Sequence, residues 1–304
     1  MIVTSAEEFL AAIRDDRFPV QAPTTARAAF LVTPNGFSLA AESATDNAYM
    51  DLQEVPDAHG ALREHAALAR ALCDSLPIVS FAGDPRAPDG VFPNNVFATA
   101  PGRLIVGRMR HPIRQQEANR RDIRAWFKDL LGYSCVDLSG GDFVAELTGS
   151  LVIDRGRGIG YCGLSERCDL AGARAMHEAF GLQLTYCFPL AASEYHTNVV
   201  LAVLASRAAI IAEDGFANVE DARAISSLYQ PHVVQISAQQ KASFAGNAIA
   251  LDEIRLWMSA TAKSALTTEQ VKLLAKADFR VESVALDEIE KAGGSLRCCV
   301  AEIY

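Results

Sequence analysis

The sequence predicts an α/β fold in which a strand–turn–strand–helix unit repeats and closes into a five-bladed, propeller-like β/α ring. Three observations predict it. Hydrophobic alternation switches between a period of about 2 and one of about 3.6 in several successive segments. The segments recur roughly every 50 residues, a spacing that marks blades or solenoid units. Two unpartnered strand patterns also lie near opposite ends of the chain, where a closed ring would bring them together.

The elements follow in order. RAAFLVTP (27–34) is the first unpartnered strand. FPNNVFATAPGRLIVGRM (92–109) reads as strand, turn, strand, and QEANRRDIRAWFKDLL follows it as helix. Arg120, Arg121 and Arg124 share that stretch with Asp122 and Asp129, which makes a solvated helix face. TGSLVIDRGRGIGYCGLS (148–165) repeats the hairpin, with DLAGARAMHEAFG as its helix. TNVVLAVLASRAAIIAED (197–214) precedes VEDARAISSLY, and AGNAIALDEIRLWMSA (245–260) precedes LTTEQVKLLAKA. GSLRCCVAEI (294–303) reads as a strand that pairs with 27–34 and so locks the end of the chain into the ring. On pattern alone, an α+β fold of separate hairpins stays open.

The 304 residues show no composition break and no low-complexity linker, so a single domain over 1–304 is expected. Net charge is −9, and no run of Lys and Arg interleaves with aromatic residues, which argues against a nucleic-acid partner. No stretch of about 18 apolar residues is present, which argues against a membrane span. The N-terminus MIVTSAEEFLAAIRDD is acidic and lacks the apolar core of a secretory signal. Seven cysteines without framework spacing suit a reduced, cytoplasmic protein. Composition leaves homo-oligomerisation open.

Two motifs invite chemistry and do not support it. Gly158, Gly160 and Gly163 match GxGxxG, but Gly158 falls in a hairpin turn and the others on the outgoing strand. A dinucleotide loop needs them between a strand and a helix N-terminus. Cys162, Cys168 and His177 fit no common zinc spacing. A third pattern is harder to dismiss. Asn95, Glu146 and His196 stand at matching positions before the first strand of three successive hairpins, and a cysteine pair stands at the matching place in the last strand. Equivalent positions in a ring converge on its axis. If Cys298 and Cys299 are strand neighbours, they face opposite sides. One thiol then points to the axis and one beneath the helices, and alternation does not choose between them.

These residues carry a resemblance. GGSLRCC (293–299) resembles the GG-x-RCM ending of arginine deiminases and the TCC ending of dimethylarginine hydrolases. ELTGSLVIDRGRGIGYCGLSER resembles the deiminase EGGDVLV…GMGERT block, and YHTNV resembles HLDTV. PDGVFPNNVFATA…HPIRQQE resembles FTRDPF…KPARQRE, and PNGFSLAAESATDNAYM (34–50) is similar to a block of proteins close to the arginine dihydrolases. The match runs in order from about residue 30 to 304. The chain thus resembles the guanidino-group-modifying, or pentein, superfamily.

The resemblance implies a five-bladed β/α propeller, no metal or organic cofactor, and a small guanidino substrate. It makes Cys298 the nucleophile and Cys299 a packing residue. Glu146 and His196 become the catalytic carboxylate and histidine, and Arg114 and Arg167 the forks for a substrate carboxylate. SGGD (139–142) mimics EGGD, yet the distance to GLSER favours Glu146 and leaves Asp142 in a turn. Where deiminases carry Asp, this chain has Asn95 and Asn198 to hold the guanidino group.

The expected chemistry is attack by the Cys298 thiolate on the guanidinium carbon, favoured by a protonated His196 and the cationic substrate. Glu146 is expected to bond the guanidinium nitrogens, and His196 to protonate the departing ammonia. An amide both donates and accepts. Asn95 and Asn198 are therefore expected to accept a neutral ureido group as well, permitting a second hydrolysis to ornithine, carbon dioxide and two ammonia. The alternatives are an amidinotransferase and a non-catalytic guanidino-binding protein.

Overall fold

A computed structural model describes residues 1–14 and 18–304. The chain is mixed α/β, and its described strands form five small sheets. Each sheet repeats one plan. Two antiparallel strands, a hairpin in four of the sheets and the two chain ends in the fifth, are followed by a helical connection and a third strand that returns parallel to the second.

In the sheet centred on Arg103–Val106, the partners are Phe97–Ala100 and Ser134–Asp137. Ile159–Leu164 lies between Leu151–Asp154 and Leu184–Pro189, and the short N-terminal strand Ile2–Val3 extends that sheet. Ala208–Ile211 lies between Leu201–Leu204 and Val233–Gln235. Arg255–Ser259 lies between Ile249–Ala250 and Arg280–Val284. The fifth sheet joins the chain ends, as the sequence predicts: Ala28–Val32 pairs antiparallel with Ala301–Ile303 and parallel with Ile78–Phe81. The returning third strand is what the β-β-α reading missed. The returning strand Ser134–Asp137 is mostly exposed and carries little alternation to announce itself.

The connecting helices form for local reasons. In Leu170–Phe180, Ala173, Met176, Ala179 and Phe180 recur at helical spacing and bury one face. The Asp169 side chain accepts from the Gly172 N–H at its start, and Gly181 ends it with φ 65°. In Thr268–Lys276, Thr267 and Gln270 close a reciprocal capping box. Gly158 occupies the turn between Leu151–Asp154 and Ile159–Leu164 at φ 67°, a conformation that favours glycine, so its conformation is that of a turn glycine.

First strands of different sheets touch one another. Ala301–Ile303 touches Phe97–Ala100, and Leu201–Leu204 touches both Leu151–Asp154 and Ile249–Ala250. Leu201, Ala202 and Leu204 are all buried, as a strand covered on both faces requires. The ends of these strands bring the polar residues together.

Candidate active site

The sequence reading put Glu146, His196 and the cysteine pair at the start of strands. The structure inserts a single helical turn before the strand in each case. Glu146 and His196 stand just before the turns Leu147–Ser150 and Thr197–Val200, and Cys298 lies within Leu296–Cys299. Asn95 ends the turn Pro93–Asn95. Strand alternation therefore does not separate the two thiols. Neighbours in a helical turn diverge by about 100°. Cys298 lines a polar cavity, while Cys299, also fully buried, does not reach it.

That cavity brings together Asn95, Arg114, Arg167, His196 and Cys298, together with Asp89 and Tyr195. Ser43, Asn47 and Met50 from one segment and Ala292, Gly293 and Gly294 from another also line it. A backbone bridge between Met50 and Ala292 joins the two segments. The Gly293 carbonyl accepts from Tyr195 Oη at 2.5 Å and from Asn47 Nδ2 at 3.3 Å. The space these residues line is small, about 20 Å³.

Glu146 and His196 form a buried pair, with His196 Nε2 2.9 Å from Glu146 Oε2. Burial alone would raise the Glu146 pKa, yet Arg167 and the His196 contact hold it well below the usual carboxylate range. The carboxylate is therefore ionised, and His196 Nε2 carries the hydrogen that it accepts. Burial pushes the His196 pKa down, against the pull of Glu146. With Nε2 on the carboxylate, Nδ1 is the ring's other nitrogen. Nδ1 is buried and has no partner among the described residues. Gly149 makes room for this ring: a Cβ there would come within 2.8 Å of His196 Nδ1 and 2.6 Å of Asn95 Oδ1.

Burial also raises the Cys298 thiol, opposed first by a hydrogen bond from Asn247. Asn247 Nδ2 is 3.3 Å from the sulfur and Asn198 Nδ2 is 3.7 Å from it. In the absence of a substrate, burial favours the neutral form of both groups.

Both arginines already have internal partners. Arg114 Nε and Nη2 lie on the two oxygens of Glu117 at 2.9 and 3.0 Å, and Nη2 also reaches the Phe92 carbonyl at 3.1 Å. Arg167 binds Asp46 through Nε at 2.9 Å and Nη2 at 2.5 Å, and reaches Glu146 through Nη1 at 3.3 Å. Neither is an empty fork, because a buried guanidinium needs an internal counter-charge. Glu146 is likewise occupied: Oε1 accepts from the Arg110 N–H at 3.1 Å and Oε2 from His196. Asp142 lies exposed in a bend, away from the buried Glu146.

Cys162 and Cys168 are buried with sulfurs 3.6 Å apart, while His177 Nδ1 contacts Thr185 Oγ1 at 2.8 Å. Among the described residues no group of three His, Cys, Asp or Glu side chains is arranged to hold a metal.

Sequence reasoning missed Asp46, Asp89, Glu117 and Asn247. Glu117 was within reach, three residues beyond Arg114 on HPIRQQE. Asp89 has an unpartnered buried Oδ1 among the described residues, a property that no sequence pattern announces.

A profile of the family described as "N,N dimethylarginine dimethylhydrolase, eukaryotic" matches residues 33–304. No curated protein matches the sequence. Among solved structures, the N-terminal domain of ArgZ bound to product, described as an arginine dihydrolase from the ornithine–ammonia cycle in Cyanobacteria, superposes with a TM-score of 0.79 at 19% identity, covering 91% of this chain and 97% of that one. AgrE in its binary complex with L-arginine gives 0.78 at 18% identity, with 91% of this chain and 40% of that one covered. A dimethylarginine dimethylaminohydrolase adduct with S-methyl-L-thiocitrulline gives 0.71 at 22% identity over 91% and 99%. At these identities the likeness to solved structures is one of fold.

Proposed function

The chain belongs to the N,N-dimethylarginine dimethylhydrolase family of the guanidino-group-modifying superfamily and is a carbon–nitrogen hydrolase of linear amidines; from that premise we propose that it is a dihydrolase of arginine or an arginine derivative. In this reading residues 1–304 act as one catalytic domain, and the five sheets are the blades of a closed propeller around the site. Cys298 is the nucleophile, His196 the general base and acid, and Glu146 the counter-charge for His196. Asn95 and Asn198 hold the group under attack.

The observation that carries the reading is a buried thiol and a buried imidazole lining one cavity, the imidazole with Nε2 on a carboxylate and Nδ1 without a partner among the described residues. As the sulfur forms its bond to the guanidinium carbon, the thiol proton passes to Nδ1. The imidazolium that results is stabilised by Glu146 at 2.9 Å. It returns the proton to the departing nitrogen, which leaves as ammonia. Water then adds to the thiouronium carbon, His196 takes its proton, and the sulfur is expelled with a ureido product. Proton handling of this kind contributes roughly 10²–10⁴-fold.

The buried oxygen of Asn95 is unpartnered among the described residues, and Asn95 lines the cavity; Asn198 and Asn247 meet the sulfur from outside its lining. An amide such as that of Asn95 can donate to a neutral ureido carbonyl as well as accept from a guanidinium. A second attack releases a second ammonia and leaves a thiocarbamate. Its hydrolysis frees a carbamate that loses carbon dioxide to give ornithine. At the far end, the unpartnered Asp89 oxygen suits an α-ammonium, and Arg114, already held by Glu117, offers its remaining nitrogen to a carboxylate.

Product stoichiometry tests this. Arginine should yield ornithine with two ammonia, and Asn95→Asp should shift the product to citrulline with one. Citrulline accumulating in the native enzyme would remove the second step from the proposal.

A further inference from the structure

The central residues keep a strict interval. Asn95, Glu146, His196 and Cys298 are joined in that register by Asn247, the successive separations being 51, 50, 51 and 51 residues. Four of the five have roles in the proposed reaction; Asn247 has none. It is fully buried, just ahead of the strand Ile249–Ala250.

The orientation of its amide is set by neighbours that have no choice. Oδ1 accepts from the Arg297 backbone N–H at 3.0 Å, and a backbone N–H can only donate. The other end of the amide is therefore the nitrogen. Nδ2 reaches the Asn198 carbonyl at 3.0 Å, a group that can only accept, and the Cys298 sulfur at 3.3 Å. Asn247 thus ties the residue before the cysteine, the residue two after the histidine, and the sulfur itself to one planar group. Asn198 is the more distant donor, and its Nδ2 is shared with the Thr148 carbonyl at 3.2 Å.

We infer that Asn247 is a catalytic residue of this enzyme, fixing the Cys298 sulfur in line and donating to it whenever it carries negative charge. The inference rests on the reading of Cys298 as nucleophile. Negative charge develops on the sulfur each time it is expelled from an adduct as well as before attack, so the donor acts in every step of both hydrolyses. A hydrogen bond to a charged acceptor is stronger than one to a neutral thiol, so the contact favours the thiolate selectively. The ionisable groups facing Cys298 are His196, Asp89, Arg114, Arg167 and Tyr195 across the cavity, with Arg297 and Cys299 beside it on the chain.

The test is the pH profile of Cys298 alkylation by iodoacetamide, read on the Cys298 peptide by mass spectrometry and needing no turnover. Asn247→Asp is isosteric and keeps the acceptor for Arg297 while removing the donor to sulfur. Asn247→Leu removes both and serves as the second variant if the first is poorly folded. The alkylation midpoint should move upward by about 1–2 on the pH scale, the size expected for losing a hydrogen bond to a charged group. The acid limb of kcat/KM should move with it. A folded variant that loses rate equally at every pH, with the midpoint unmoved, assigns Asn247 a structural role and overturns the inference. Failure of the functional reading looks different: the native midpoint responds to Asn247→Asp, yet no guanidino compound is turned over.

Discussion

The chain buries cysteines in two quite different settings. Cys162, Cys168 and Cys187 gather between a sheet and the helix Leu170–Phe180, in a cluster with Leu147, Leu151, Met176 and Phe180. Cys162 and Cys187 are register partners on adjacent parallel strands, and the Cys162 and Cys168 sulfurs are 3.6 Å apart. Cys298 is equally buried, but its sulfur faces a cavity, two amide nitrogens and a histidine. In both settings the thiols are raised: Cys162 and Cys187 first by the shared contact between thiols, Cys298 by burial. Thiol pKa alone therefore does not mark the nucleophile. What separates the two settings is the presence of donors for a developing charge and an acceptor for the proton. The first group offers its thiols mainly each other and hydrocarbon, which is the setting of a structural cysteine.

The comparison breaks most sharply at the sulfur. Cys298→Ala should lower turnover by at least about 10⁴-fold, as loss of a nucleophile does when its partners act as a unit with it. Cys162→Ala should leave kcat within about twofold. If steady-state ammonia release shows the reverse, the reactive thiol lies in the other cluster.

Next in size is the acceptor. Glu146→Gln removes the counter-charge for an imidazolium and should lower kcat by about 10²–10⁴-fold. It also leaves Arg167 with one buried partner fewer, so urea denaturation should show a loss of about 3 kcal/mol. Full activity in this variant would mean that His196 works without its carboxylate.

A smaller effect appears in stability against pH. The folded protein holds the His196 pKa below its ordinary value of about 6.5, chiefly by burial. As pH falls through that unfolded value, the unfolded chain takes up a proton that folded His196 still refuses. Stability therefore drops on acidification, by up to about 1.4 kcal/mol per pH unit, until the folded value is reached. The paired Glu146 acts lower down: its depressed pKa gives stability present above the unfolded carboxylate value and lost as pH falls through the folded one. His196→Asn should flatten the first of these slopes. Parallel curves for the two proteins would show that His196 is charged when folded.

The smallest effect concerns the neighbour. Cys299→Ala should cost about 1 kcal/mol of stability from lost packing and leave kcat unchanged. A large drop in kcat at unchanged stability would move the nucleophile one residue along.

The sequence alone determined the repeat and its stations. A periodic pattern is local, so the hairpins, the interval of about 50 residues and the joining of Ala28–Val32 with Ala301–Ile303 could be read without coordinates. The same interval singled out Asn95, Glu146 and His196, and it held Asn247 in plain view. Only the tertiary structure decided what these groups are. That Arg114 is held by Glu117 and Arg167 by Asp46, that His196 turns Nε2 to Glu146 and leaves Nδ1 without a partner among the described residues, and that two amides meet the sulfur all depend on burial and on contacts of about 3 Å. Those contacts mostly join residues 49 or more positions apart. A hydrogen bond changes character over fractions of an ångström, and a pKa changes with the dielectric around it, whereas a sequence pattern records only which face of an element a residue occupies.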